Sequence, residues 1–122
     1  RVALVDERGE VAVMVQGMAQ MEIGCHTDVM DGCPKAVAIP MLLRSANPQI
    51  IAVDEITQAE DLLAMEEAAH CGVRFVATIH ADSDADLQRR PLLRKLQRTQ
   101  IFEKAICIQM ADRLRRYRLK DL

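Results

Sequence analysis

The sequence of 122 residues predicts an α/β fold built on a parallel sheet with crossover helices. Two observations carry this. Three nearly continuous apolar runs, Val2–Val5, Gln49–Val53 and Val73–Ile79, alternate with segments of helical patterning. Such runs, rather than alternating ones, mark strands buried on both faces. Each run also leads into polar, chemically competent residues: Asp6–Glu7, Asp54–Glu55 and His80.

The elements follow in order. Val2–Val5 is a buried strand that terminates at Asp6–Glu7. After Gly9, Val11–Val15 reads as a second extended piece, and Gln16–Gly32, with three glycines, as loop and turn. Pro34 opens a helix from Lys35 to about Ala46, because a proline at the first turn sacrifices no hydrogen bond. Pro40 is expected to bend or interrupt it, and Asn47–Pro48 to stop it. After the strand Gln49–Val53, Thr57 is expected to cap the next helix with Glu60 as its capping-box partner. That helix runs to about His70 and stops at Cys71–Gly72. Val73–Ile79 is the third strand, and Asp84–Leu96 a helical segment broken by Pro91. Ala105–Gln109 and Leu114–Leu119 pair as a hairpin with Asp112 near the turn.

Composition sets the class. Half of the residues are hydrophobic but only 2% are aromatic, so the core is aliphatic. Charged residues make up 28% and the net charge is −2, which excludes a disordered chain and gives no overall signal for nucleic acid. No apolar run approaches the roughly 20 residues of a membrane span, and none of these residues reads as a signal peptide. The length fits a single domain over residues 1–122. Cys25, Cys33, Cys71 and Cys107 lack C-x-x-C spacing and read as reduced, partly buried thiols. The alternative is a metal site drawn from Cys25–His26 and His70–Cys71.

Ligands of open parallel sheets bind beyond the carboxyl ends of the strands. If the three strands are neighbours, Asp6, Glu7, Asp54, Glu55 and His80 converge there. The chemistry suggested is nucleoside-triphosphate hydrolysis, which needs magnesium on the β- and γ-phosphates and a group that orients the attacking water. A strand-terminal Asp54 suits the metal, and Glu55 directly after it suits the water. Singly these signals are common: V-D-E occurs where any strand ends, Asp6–Glu7–Arg8 is a charged turn, and a lone histidine faces solvent. Their order and placement carry the reading.

The blocks VALVDERGEVA (2–12), HTDVMDGCPKA (26–36), MLLRSANPQIIAVDEITQAED (41–61), CGVRFVATIHA (71–81) and LQRRPLLRKL (87–96) resemble the stage III sporulation protein AA family, relatives of the type II and type IV secretion ATPases. The resemblance covers most of the chain. It implies a RecA-like P-loop NTPase core that uses ATP and Mg2+ in a hexameric ring. It further implies membrane channel proteins of the sporulation apparatus as partners, and a cytoplasmic location, peripheral to the membrane. By the same resemblance Asp54 and Glu55 match the Walker B acids and His80 the histidine box. Asp6 and Glu7 match an acidic box near the nucleotide. Arg44, Arg89 and Arg90 become candidates for phosphate or intersubunit contacts. Secretion relatives carry glycine where Asp54 stands, which favours the sporulation branch and a magnesium role for Asp54.

One departure is large. These residues contain no G-x-x-x-x-G-K-[ST] loop, which in the family precedes the VDER strand. The chain opens at Arg1 directly into a strand, so it reads as the distal part of a RecA-like ATPase domain truncated at its N-terminus. Without the loop there is no backbone nest for phosphates. The chain alone is expected neither to bind ATP tightly nor to hydrolyse it. The function expected of the parent is an ATPase that powers or assembles a sporulation-associated transmembrane channel. The alternative is a nucleotide-independent assembly module with a degenerate P-loop-like fold. Nucleic-acid binding is not expected. The basic runs Arg89–Arg98 and Arg113–Arg118 read as solvated faces or subunit contacts, with contact to an anionic lipid surface as an alternative and only Tyr117 interleaved.

Overall fold

The computed structural model describes residues 1–83 and 85–122. In chain order the elements are β1 (Val2–Asp6), β2 (Met14–Val15), β3 (Met18–Ala19), β4 (Thr27–Asp31), α1 (Lys35–Ser45), β5 (Ile50–Glu55), α2 (Ala59–His70), β6 (Arg74–Thr78), α3 (Asp86–Arg89), α4 (Pro91–Thr99), β7 (Lys104–Ala111) and β8 (Leu114–Asp121). The mixed α/β class holds. A four-stranded sheet runs in the order β4-β1-β5-β6, and every pairing in it is parallel.

Both helical crossovers, β4–α1–β5 and β5–α2–β6, step in the same direction across the sheet. Right-handed connections therefore lay α1 and α2 side by side on one face. Beneath them Ala3, Val5, Ile51, Val53 and Phe75 meet Ile39, Leu42, Leu62 and Met65 in one core. Each fully buried Ile or Leu contributes about 1.5–3 kcal/mol. Helices this short are marginal alone, so the aliphatic face rather than intrinsic propensity holds them. The opposite face carries Val2, Leu4, Ala52 and Val76, with Val76 exposed. A groove of about 280 Å³ runs over it beside Val11, Ile23 and Thr27.

Several boundaries differ from the sequence reading. Thr27–Asp31 is a strand where a loop was expected. It forms the sheet edge, so its acids Asp28 and Asp31 stay exposed and the apolar signature is diluted. The extended piece after Gly9 is a small antiparallel ribbon of β2 with β3. α1 is continuous through Pro40. The cap of α2 lies one residue later than expected: Gln58 is the N-cap, and Asp61 Oδ2 accepts from its N–H at 3.1 Å. At the other end the Gly72 N–H donates to Ala69 O and the Val73 N–H to Ala68 O. Gly72, at φ +88°, takes the left-handed position of that glycine stop.

Asp84, where the next helical segment was expected to begin, lies outside the described residues. Pro91 divides that segment into α3 and α4 and stands at the start of α4. β7 and β8 pair antiparallel from Lys104 to Asp121 around a tight turn, with positive φ at Asp112 and Arg113. One face of this ribbon carries Ile106, Ile108, Met110, Tyr117 and Leu119, all exposed. Among the described residues no helix is long and apolar enough to cross a membrane.

Candidate functional site

β1 and β5 are neighbours in register, Val5 opposite Val53, so Asp6 and Asp54 follow side by side at the carboxyl edge. On the other flank of β5, Val53 pairs with Ala77 but Glu55 pairs with Thr78. The bulge between them leaves Asp54 as the extra residue. Bulges of this kind re-aim side chains at strand ends. Here Asp54 turns inward, 4% exposed, and Glu55 stays part-exposed at the mouth.

Asp6 corrects the sequence reading. It is completely buried and its carboxylate is consumed by the following loop. Oδ1 accepts from the Glu10 N–H at 2.9 Å, and Oδ2 from the Ala12 N–H at 2.8 Å. The Val11 N–H reaches both oxygens, at 3.2 and 3.1 Å. A carboxylate so occupied shapes the loop and is not presented to a nucleotide.

That loop places Glu7 and Arg8. Lys35, in the first turn of α1, is 2% exposed and lies between two acids. Its Nζ is 2.5 Å from Glu7 Oε2 and 2.6 Å from Asp54 Oδ1. The contact with Asp54 is close but poorly directed, an ion pair more than a hydrogen bond, and the buried Oδ1 has no directed donor. Burial pulls the Lys35 ammonium down, but its contacts with Asp54 and Glu7 and their charges outweigh burial and hold it above the usual lysine value.

Arg8 Nη2 donates to Glu55 Oε2 at 2.6 Å, and its backbone N–H approaches Asp54 Oδ2 at 3.4 Å. His80 Nε2 stands 3.9 Å from the same Glu55 oxygen. The hydrogen bond from Arg8 holds the Glu55 carboxyl below the ordinary value. Partial burial opposes it, and the charges of His80, Arg8 and Lys35 reinforce it. Arg90 Nη1 donates to the His80 carbonyl at 2.6 Å, tying the start of α4 to the segment after β6.

The structure thus brings Glu7, Asp54, Glu55 and His80 together. It does not bring in Arg44, a candidate for phosphate or intersubunit contact, which lies away from these acids within the chain. α1 begins at the carboxyl edge and runs back, so its last turn lies at the amino edge, where Arg44 Nε donates to Pro40 O at 3.1 Å. Arg89 is exposed on α3, and among the described residues its guanidinium is not one of the groups that meet Glu55 or His80; the neighbouring Arg90 makes that connection. Sequence reasoning missed Lys35 and Arg8. The signal for Lys35 was its place in DGCPKA, directly after the proline that opens α1.

A cavity of about 530 Å³ lies at the amino edge among Asn47, Gln49, Cys71 and Arg74. Its lining carries Arg1 and Arg74 and no acid, in contrast to the acid-rich carboxyl edge. Cys25 and Cys71 are exposed, Cys33 and Cys107 part-buried, and all four are free thiols. Among the described residues no three His, Cys, Asp or Glu side chains gather around a metal-sized space.

The family model described as "Sporulation stage III, protein AA" matches residues 1–118. Stage III sporulation protein AA of Bacillus subtilis (strain 168) is 38% identical over 111 residues, which cover 91% of this chain and 36% of the relative. The chain therefore spans about a third of the length of that relative. Because the match takes in both central strands, the Lys35 turn and the His80 segment, the chain belongs to the stage III sporulation protein AA family.

Proposed function

We propose that this chain is the distal part of a RecA-like ATPase core that powers or assembles a sporulation-associated membrane channel. Family membership supports the sporulation role. One observation carries the enzymatic part: at the carboxyl edge of a parallel sheet, a buried Asp54 is followed at once by a part-exposed Glu55 beside His80.

The residues fit magnesium at one position. Asp54 would hold a hydrated cation through Oδ1, the buried oxygen that faces the Lys35 ammonium at 2.6 Å. Magnesium, when bound, neutralises charge on the β- and γ-phosphates of ATP. Glu55 serves the water. Its carboxyl is held below the ordinary value, so it is a weak proton acceptor and acts by orienting the attacking water through its free oxygen. Arg8 fixes the other oxygen at 2.6 Å. His80, exposed and close to Glu55, reports the state of the site to a neighbouring subunit of a hexameric ring. The phosphate cradle is to be supplied by a G-x-x-x-x-G-K-[ST] loop outside these residues.

The test is Glu55→Gln in a full-length protein that contains this chain together with such a loop. Hydrolysis should fall by about 100-fold or more while nucleotide binding persists. A variant that hydrolyses ATP at the wild-type rate removes Glu55 from the mechanism.

A nucleotide-independent assembly role is the second reading, and the β7–β8 ribbon favours it. Ile106, Ile108, Tyr117 and Leu119 are exposed together on one face. Oligomerisation of the full-length protein that ignores nucleotide, followed by light scattering, would support this reading over the first.

A further inference from the structure

We propose that Lys35 is the resting occupant of the cation seat between Asp54 and Glu7, an internal ammonium that a divalent metal ion must displace. This rests on the reading of Asp54 as the magnesium acid and adds a gate to it.

The seat is defined by geometry. The Lys35 ammonium touches one oxygen of each acid, Asp54 Oδ1 at 2.6 Å and Glu7 Oε2 at 2.5 Å. These acids come from different strand ends, so the ammonium bridges β5 and the loop after β1. Two oxygens converging on one small cation are what a hard divalent ion recruits. Both Lys35 and Asp54 are more than nine-tenths buried, so water does not screen the pair. Asp54 Oδ1 meets the Lys35 ammonium at 2.6 Å and takes no loop amide, whereas Asp6 is held by its loop amides.

The ammonium is also poorly served by its own helix. It sits in the first turn of α1, whose partial charge is positive and favours anions. Among the described residues the two acids hold it there, and a cation of higher charge competes for the same oxygens. Glu7 supplies the way out. Its side chain is 31% exposed, so the ammonium can follow that carboxylate towards solvent while the metal takes Asp54. With Lys35 seated, the local charges of Asp54 and Glu7 are partly balanced and the empty site does not recruit stray cations. When it swings out with Glu7, the Asp54 carboxylate faces the incoming ion.

The probe is Mn2+, titrated into the full-length protein without nucleotide and followed by the electron paramagnetic resonance of the free ion. Lys35→Met should tighten Mn2+ by about tenfold or more, since it removes a unit charge in contact with the ligand oxygens. Adding Asp54→Asn to Lys35→Met should abolish that gain. Unchanged or weaker Mn2+ binding by a folded Lys35→Met protein overturns the proposal. Because that variant breaks a buried pair, a second measurement uses the wild type. The side-chain 15N resonance of the Lys35 ammonium, protected while seated, should be lost to fast exchange as Mg2+ is added. A resonance that stays protected throughout a millimolar Mg2+ titration also overturns it. Neither readout involves hydrolysis. A normal rate for Glu55→Gln would therefore defeat the ATPase reading without altering the Mn2+ result, and the reverse holds equally.

Discussion

Asp6 and Asp54 stand level on neighbouring strands and do different work. Asp6 is a structural acid: it collects the amides of Glu10, Val11 and Ala12. Asp6→Ala leaves the buried Ala12 N–H without a partner and should lower stability by about 2–3 kcal/mol, read as a lower urea midpoint at unchanged slope. Asp54 instead meets a buried lysine, which makes it responsive to whatever cation enters. Glu55 adds a pH dependence. Its folded pKa lies below the ordinary 4.5 because Arg8 stabilises the carboxylate. The contribution is complete above that ordinary value and is lost as pH falls through the lowered one. The midpoint of urea unfolding should therefore drop more steeply below about pH 4.5 in the wild type than in Arg8→Met. Identical acid limbs for the two proteins would show that the Arg8–Glu55 pair contributes nothing to folding.

The elements explain which residues could be read in advance. β1 and β5 announced themselves as apolar runs because they are the two central strands, whereas β6 is an edge strand that was legible because its exposed positions include Val76 and Thr78 rather than acids. β4 did not, since an edge strand keeps Asp28 and Asp31 in water. The cap of α2 was displaced by one residue because Thr57 has the better capping side chain, whereas the folded chain lets Asp61 reach back to Gln58. Gly72 was legible, and it has a measurable weight. At φ +88° a Cβ is strained although nothing crowds it, so Gly72→Ala should destabilise by about 1–2 kcal/mol, seen as a lower melting temperature with an unchanged fold. The strand-end acids were legible from order alone. Lys35 was not, because a lysine in a first helical turn looks solvated until the β1 loop closes over it. Arg44 lies apart from the acids for a topological reason: a crossover helix returns to the far edge of the sheet, so a residue near its end stands away from the site of its own chain.

At the scale of the molecule the chain has an uneven architecture. One face of the parallel sheet is roofed by α1 and α2, and the other is covered only in part, with Leu4 buried beside Val11 and Ile23 and Val76 exposed. Parallel sheets are ordinarily covered on both faces, so the site at the carboxyl edge stands on a scaffold whose rigidity comes from the roofed side. The β7–β8 ribbon lies beyond that scaffold, and each of its strands packs mainly on the other. A ribbon of this kind is only marginally stable by itself. It will open and close as a cooperative unit of its own, at a smaller free energy than the central strands. In deuterated water the amides of Lys104–Asp121 should take up label long before those of Val2–Asp6 and Ile50–Glu55, by mass spectrometry of the respective peptides. Simultaneous labelling of the two regions would mean that the chain has a single unfolding event. Staggered labelling would mean that the ribbon can be ordered or released without disturbing the acids at the sheet edge, which makes it the independently adjustable part of the molecule.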